Sequence, residues 1–456
     1  MFDKVTTIIS FAVFCICLFL PCTNSAAPLT LEEAYALAQS NSPQIKAQDY
    51  SVQAAQAQLS EARYYWAPKF KLNSMFGPMP KEKDIDSSID DIWSNITGEW
   101  GFTTRNYLEF WMPLFTSLKV YNTRQLAEIG LDVEKIRVQG ERLKVDYDVA
   151  RAFYGLQLAN AGEDVIKEAL QLVDRLQNEY DKLMQAGSSS VKETDQYRIE
   201  LAKAKLEQIK NEIYASKVYA MQALGVHTGL PQPIEVSEMD FQLEELKLIE
   251  QEEAVALARQ HRTELKLLHK AELAALKQAK IQWLQWFPDL VLAGEVYYKY
   301  SNAVPKLSEK NFFLNDNYNG AGFFAGFVLR WELDPVSQVF KVRRADALAQ
   351  RAISQRQLAI AGIELEVVKQ YQDTAAALQK VEIVKNARRA AKRFMSQEFV
   401  DYDAGQGKAN DVVAAITAYI ELRSAYLHAL HDFRLALLKL KLTCGAAQSA
   451  DLLQAE

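Results

Sequence analysis

Side chains able to hold a metal or attack a substrate are few in this chain of 456 residues. Of its five histidines, only His428 and His431 lie three residues apart, which places both on one face of a helix. A di-metal helical bundle would also need a ladder of carboxylates, and the sequence does not supply one. Cys444 is more typical of a small buried residue than of a nucleophile. Without a phosphate loop, nucleophile elbow or zinc motif, the sequence predicts neither an enzyme nor a cofactor.

Composition and charge argue against two further classes of protein, nucleic-acid-binding proteins and disordered chains. A net charge of −6 gives no basic face for nucleic acid. An aromatic content of 11% argues against a disordered chain. The sequence therefore predicts a folded protein that does not bind nucleic acid.

Residues 1–26 have the pattern of a signal peptide. Lys4 precedes an apolar run over residues 8–20, and small residues follow at 24–27. An anchoring helix is less favoured because the run falls short of the ~20 residues that a span needs. Lipidation of Cys22 stays open, although Pro21 before it fits a lipidation site poorly. After cleavage Cys444 has no partner for an internal disulfide, so burial or assembly must stabilise the fold.

The chain contains one long segment twice. Six of the seven residues at 32–38 recur at 252–258, and Trp66 and Pro68 align with Trp286 and Pro288, an offset of 220 residues. We predict a first repeat at 29–225, a linker at 226–249, a second repeat at 250–445 and a flexible tail at 446–456.

Each repeat contains two stretches of period-two alternation, which predict strands at 68–76, 104–114, 288–300 and 321–334. One face of each strand is apolar and the other carries charge, which suits a transmembrane barrel strand and also a half-buried soluble strand. Aromatic residues near the strand ends favour membrane girdles. These residues are Trp66, Trp286, Tyr298, Tyr300 and Trp331.

Long helical hairpins follow the strands, at 116–225 and 336–443. Their first helices contain no proline over 118–184 and 336–404 and would each reach roughly 100 Å. No later run of 18 apolar residues is found, so entry into a membrane would require strands. Four strands cannot close a barrel, and open edges are not tolerated in lipid. The predicted fold is therefore mainly α with membrane β-strands, in which several chains build a β-barrel continuous with a periplasmic α-helical barrel.

The opening 29–34, the Trp-x-Pro before each repeat's strands and the glycine turns followed by acidic residues resemble the TolC family of outer-membrane efflux proteins. The resemblance covers nearly the whole mature chain. It implies a homotrimer with a 12-stranded barrel in outer-membrane lipid and a helical tunnel in the periplasm. It also implies a periplasmic adaptor protein and an inner-membrane pump or secretion ATPase as partners.

The resemblance also implies a periplasmic gate at the hairpin turns. Its candidate residues are Tyr402, Asp411, Lys408, Lys192 and Glu193. Ala414 and Gly407 depart from the family, which has an aspartate and an arginine at these positions. For Asp411 the alternative is a solvated charge at a helix N-terminus. Adaptor contact and hairpin geometry are both compatible with the turn residues Gly187, Ser188, Gly405 and Gln406.

The function predicted from these features is an outer-membrane exit duct of a tripartite efflux pump or type I secretion system. The alternative is a soluble periplasmic coiled-coil scaffold whose short strands cap the helices. A receptor or lectin-like role for the loop around Trp93 and Trp100 would explain only a small part of the chain.

Overall fold

The structure is a computed structural model that describes residues 28–81, 99–186, 192–238, 246–304, 316–404, 406–445 and 453–455. The predicted signal peptide with Cys22, the loop residue Trp93 and the turn residues Gly187, Ser188 and Gly405 lie outside the described residues. The helices are α1 Leu31–Asn41, α2 Pro43–Arg63, α3 Lys119–Gln185, α4 Glu193–Thr228, α5 Gln251–His261, α6 Thr263–Leu284, α7 Pro335–Asp403 and α8 Ala409–Thr443. The strands are β1 Lys69–Pro80, β2 Trp100–Phe115, β3 Leu246–Leu248, β4 Asp289–Ser301, β5 Gly320–Arg330 and β6 Leu453–Ala455.

The predicted duplication is confirmed in the order of these elements. Helix, helix, strand, strand, long helix and return helix occur twice, and α1, α2, β1 and β2 begin 220 residues before α5, α6, β4 and β5. A capping box fixes the start of α1, where the Thr30 hydroxyl accepts the Glu33 N–H and the Glu33 carboxylate accepts the Thr30 N–H.

The chain divides into two compact units, and each unit draws on both repeats. The sheet unit comprises Ala47–Gly140 and Ala258–Leu365. The helical unit comprises Met1–Lys46, Glu141–Leu257 and Glu366–Glu456. A repeat is therefore not a compact domain, because its strands pair with the strands of the other repeat.

The sheet unit contains one antiparallel sheet in the order β1-β2-β4-β5. Its register places Phe70 opposite Phe110, Leu108 opposite Val296, and Val296 opposite Phe323. Because neighbouring side chains alternate between faces, this register separates the residues by polarity. One face carries Phe70, Leu72, Phe76, Leu108, Phe110, Met112, Leu292, Val296, Tyr298, Tyr300, Phe323, Ala325, Phe327 and Leu329.

The opposite face holds all the charged residues of the four strands. They are Lys69, Lys71, Arg105, Glu109, Asp289, Glu295, Lys299 and Arg330. Both faces are open in the single chain: Phe323 on the apolar face is 82% exposed. The predicted two-faced alternation is confirmed, and the apolar face has no cover within the described chain.

The helical unit has its core between the four hairpin helices α3, α4, α7 and α8. One stripe of α3 is buried there, with Leu176 fully enclosed and Tyr180 nearly so. Ile199 of α4, Phe399 of α7 and Ile416 of α8 pack against it. Burial of this periodic stripe, more than helix propensity, stabilises such long helices.

The predicted bounds of three strands need correction. The strand predicted at 321–334 ends at Arg330, because its partner β4 begins at Asp289, directly after Pro288. Asp334 instead caps α7, accepting the Ser337 N–H on its carboxylate at 3.2 Å. The strands predicted at 68–76 and 104–114 extend further, to 69–80 and 100–115. Two prolines fit in β1 because it is an edge strand.

The predicted flexible tail at 446–456 is wrong for three of its residues. Leu453–Ala455 form β6, which pairs with β3 inside the predicted linker 226–249. Leu29 pairs with Val236 of the same linker, and its N–H donates to Glu235 O at 2.9 Å. These paired segments are too short to show a clear alternation of apolar and polar residues. The sequence therefore did not reveal the pairing. Over the described ranges, no helix has both the length and the apolar composition to cross a membrane.

Candidate functional site

The first hairpin turn is tied together by residues at the start of α4. The Asp195 carboxylate accepts the backbone N–H of Lys192 at 3.0 Å and is itself buried. The Tyr180 hydroxyl of α3 donates to the carbonyl of Lys192 at 3.4 Å. The end of α3 is therefore bonded to the residue that caps α4.

The second hairpin turn requires a glycine. The N–H groups of Gln406 and Gly407 both donate to the carbonyl of Asp401, each at 2.9 Å. A Cβ at Gly407 would lie 2.8 Å from the backbone nitrogen of Tyr402, which is too close for any side chain. The absence of the family's arginine at this position thus has a steric reason.

Tyr402 is a core residue of this hairpin in the single chain. Its side chain is 1% exposed, and its hydroxyl has no hydrogen-bond partner among the described residues. Burial raises the pKa of Tyr402 to about 12, and the nearby carboxylates of Asp195 and Glu179 add to the shift. The ring therefore packs between helices, and any role at a gate would be exerted through that packing.

The other candidate gate residues are exposed at the helix starts. Lys192 and Glu193 begin α4, and Lys408 and Asp411 lie at the start of α8. Asp411 donates its N–H to Lys408 O at 3.0 Å and leaves its carboxylate in solvent. Across the described parts of the chain, none of these four side chains forms an ion pair. The structure therefore places two pairs of charges at the two turns without joining them.

Two polar links at this end of the helical unit are absent from the sequence-based list. Arg175 of α3 and Asp403 of α7 form an ion pair at 2.9 Å, and the guanidinium lies 4.8 Å from the Phe399 ring centre. Arg423 of α8 pairs with Glu168 of α3. Both pairs join residues more than 200 positions apart, so no local spacing could reveal them. Asp195, in contrast, follows Lys192 at the three-residue spacing of a capping box, which is a local signal in the sequence.

The aromatic candidates lie towards the two ends of the sheet. Trp66 and Trp286 precede β1 and β4, and Trp331 follows β5, so all three are at one end. The Trp331 indole N–H donates to the carbonyl of Trp286 at 3.1 Å. Tyr298 and Tyr300 lie near the other end, on the apolar face. The sheet therefore has an aromatic residue group at each end, as a membrane strand would need.

Within the apolar face, Gly294 makes room for an aromatic ring. A Cβ at this position would overlap the ring of Phe110 on the neighbouring strand. The ring can lie flat across β4 only because glycine leaves this space. The Phe110 side chain therefore covers the apolar face at Gly294, where β4 has no side chain of its own.

No group of three or more metal-binding side chains is present in the part of the chain that the structure describes. His431 contacts Asp432 at 3.6 Å, and burial lowers the pKa of the imidazole.

Comparison with known proteins gives one sequence match and several structural matches. Residues 34–219 match the sequence model of a family described as outer membrane efflux protein. No curated protein matches the chain by sequence.

The solved structures cover most of the chain at low identity. The CmeC outer membrane channel of Campylobacter jejuni is 17% identical, with a TM-score of 0.71 over 92% of this chain and 87% of that one. The VceC outer membrane protein of Vibrio cholerae is 17% identical, with a TM-score of 0.68 over 91% and 96%. The MtrE outer membrane channel of Neisseria gonorrhoeae is 15% identical, with a TM-score of 0.69 over 91% and 89%. At these identities the likeness establishes the fold.

Proposed function

We propose that the chain is the outer-membrane exit duct of an efflux or secretion system, as the match of residues 34–219 to the outer membrane efflux protein family suggests. It would carry solutes passively, since no catalytic group is required of a tube. The observation that carries the proposal is the two-faced sheet, with every strand charge on one side and a continuous apolar surface on the other.

The apolar face would contact lipid, and the charged face would line the lumen. A transmembrane barrel strand needs this arrangement, because the bilayer core accepts charged side chains only at high cost. The exposure of Phe323, Phe327 and Phe76 supports it, since a soluble protein rarely leaves so large an apolar surface open. The soluble scaffold is not favoured for this reason.

The free edges of β1 and β5 support assembly from several copies. Lipid contains no water to satisfy the N–H and C=O groups of an open edge. Pairing β5 of one copy with β1 of the next would satisfy both edges. Three copies of the four-stranded sheet would give the 12 strands that the family resemblance implies.

The long helices would form the periplasmic part of the duct. At 1.5 Å per residue, the 67 residues of α3 and the 69 of α7 reach about 100 Å. A bilayer core of about 30 Å cannot contain them. A periplasmic adaptor would then contact the hairpin turns around Gln406 and around residues 187 and 188, and an inner-membrane pump or secretion ATPase would complete the system.

Two adjacent residues of β5 test the orientation of the sheet. Phe323 lies on the apolar face and Phe324 on the charged face, and both are exposed in the single chain. We expect Phe323→Lys to impair insertion into the outer membrane, because lysine on the lipid face of a barrel strand is destabilising, by up to about 2–4 kcal/mol at the bilayer centre. Phe324→Lys, the matched control, would leave insertion intact, since its side chain would meet water.

The readout is fractionation with outer membranes together with heat-modifiable migration on a gel. Equal insertion of the two variants would contradict the assignment of faces. Complete solubility of the wild-type protein after export would contradict the duct itself.

A further inference from the structure

A charged pocket of about 490 Å³ lies in the sheet unit, where β5 passes into α7. It is large enough for a small solute with several water molecules. Its four basic lining residues are Lys119, Arg330, Lys341 and Arg344. The register opposite Asp289 places Arg330 on the charged face of the sheet.

Two of the three carboxylates that line the pocket already have partners. Asp289 pairs with Lys119 at 2.9 Å, and this pair is largely shielded from solvent. The Asp334 carboxylate accepts the Ser337 N–H and caps α7. Glu332 is the third acidic residue. The acids of the pocket therefore offset only part of its positive charge.

Three basic groups remain available in the pocket. Within the described residues, Arg330, Lys341 and Arg344 form no ion pair. Lys341 and Arg344 are three residues apart on α7, so they lie on the same side of the helix.

We propose that this pocket binds small anions that carry a carboxylate or phosphate group. Two guanidinium groups present planar pairs of N–H donors that match the geometry of such anions, and the Lys341 ammonium adds charge. The proposal rests on the proposed function, because the charged face is a duct wall only if the apolar face meets lipid. In a trimer, three pockets would then form a ring of anion sites at one level of the lumen.

Inorganic phosphate is the probe for this site. Added to the purified protein in a planar bilayer, it should reduce the chloride current in a saturable manner. In the double variant Arg330→Gln, Arg344→Gln, the phosphate concentration that gives half its maximal effect on the current should rise at least about tenfold. The loss of one charge-assisted hydrogen bond is enough to weaken binding by that factor. Arg344→Lys keeps the charge, so its half-maximal phosphate concentration should lie between those of the wild type and the double variant.

Arg343→Gln is the matched control. It removes one positive charge from the position next to Arg344 on α7, and Arg343 does not line the pocket. An equal shift in this control, or a wild-type current that phosphate leaves unchanged, would overturn the anion site. Titration calorimetry of phosphate against the protein in detergent tests the site without a current. A protein that binds phosphate but conducts no ions would therefore overturn the duct and keep the site.

Discussion

Arg175 in the first repeat and Asp403 in the second form an ion pair with an Nη2–Oδ2 distance of 2.9 Å. Both side chains are about half exposed, so the pair adds at most about 1 kcal/mol to the free energy of unfolding. Its importance is positional, since it joins α3 to the last residue of α7 beside the hairpin turn. In the proposed duct this turn lies at the periplasmic entrance.

Breaking this pair should loosen the entrance without unfolding the protein. We expect Arg175→Gln to raise single-channel conductance in planar bilayers, while the melting temperature stays close to that of the wild type. Lys203→Gln is the control, because it breaks an ion pair of 2.8 Å with Asp174 inside a single hairpin. Conductance that rises equally in both variants would argue against a link between repeats.

Asp411 should contribute to cation selectivity. Its carboxylate is exposed at the start of α8, and three copies around a symmetry axis would concentrate negative charge there. Asp411→Asn should shift the reversal potential in a salt gradient towards lower cation preference. Asp373→Asn is the control: it removes an exposed carboxylate of α7 far from the turn and should leave the reversal potential unchanged. Equal selectivity in Asp411→Asn and the wild type would favour a merely solvated charge at a helix start.

Two buried tyrosines at the hairpin turns should respond oppositely to loss of the hydroxyl. The Tyr402 hydroxyl is buried without a partner among the described residues, so Tyr402→Phe should keep or raise the melting temperature. The Tyr180 hydroxyl donates to Lys192 O, so Tyr180→Phe should cost about 0.5–1.5 kcal/mol. Thermal unfolding followed by circular dichroism compares them. Equal losses in both variants would indicate that Tyr402 has a partner in the assembled protein.

Tyr402 should also contribute to the alkaline stability limit. Burial raises its pKa from 10 to about 12, so the folded state holds this proton more tightly than the unfolded state does. Its contribution is complete below pH 10 and is lost as the pH rises towards 12. Melting temperatures across this range should therefore fall less steeply for Tyr402→Phe than for the wild type. Tyr214→Phe, which changes an exposed tyrosine of α4, should follow the wild type.

The sequence predicted those features that local periodicity encodes. Alternation over 288–300 correctly separated Val296 and Tyr298 from Glu295 and Lys299, because the pleat fixes which side chains share a face. Helical spacing likewise places Leu176 and Tyr180 on one stripe of α3, and both are buried. Local rules of this kind need no knowledge of the partner element.

Other features depend on partners that are distant in the chain. The register of β2 against β4 brings Leu108 opposite Val296, almost 190 residues away, and no turn sets it. The approach of Gly407 to the backbone of Tyr402 depends on the path of the turn between α7 and α8. Only the folded backbone could reveal why arginine is excluded there.

The pairing of Leu29 with Val236, and of Leu453–Ala455 with Leu246–Leu248, has a consequence for the order of the chain. Both ends of the described chain are fastened to the connector between the repeats. A circularly permuted protein that begins near residue 250, with its old ends joined by a short linker, would therefore keep these pairings almost unchanged. The order in which the two repeats are translated would then matter little to the folded protein.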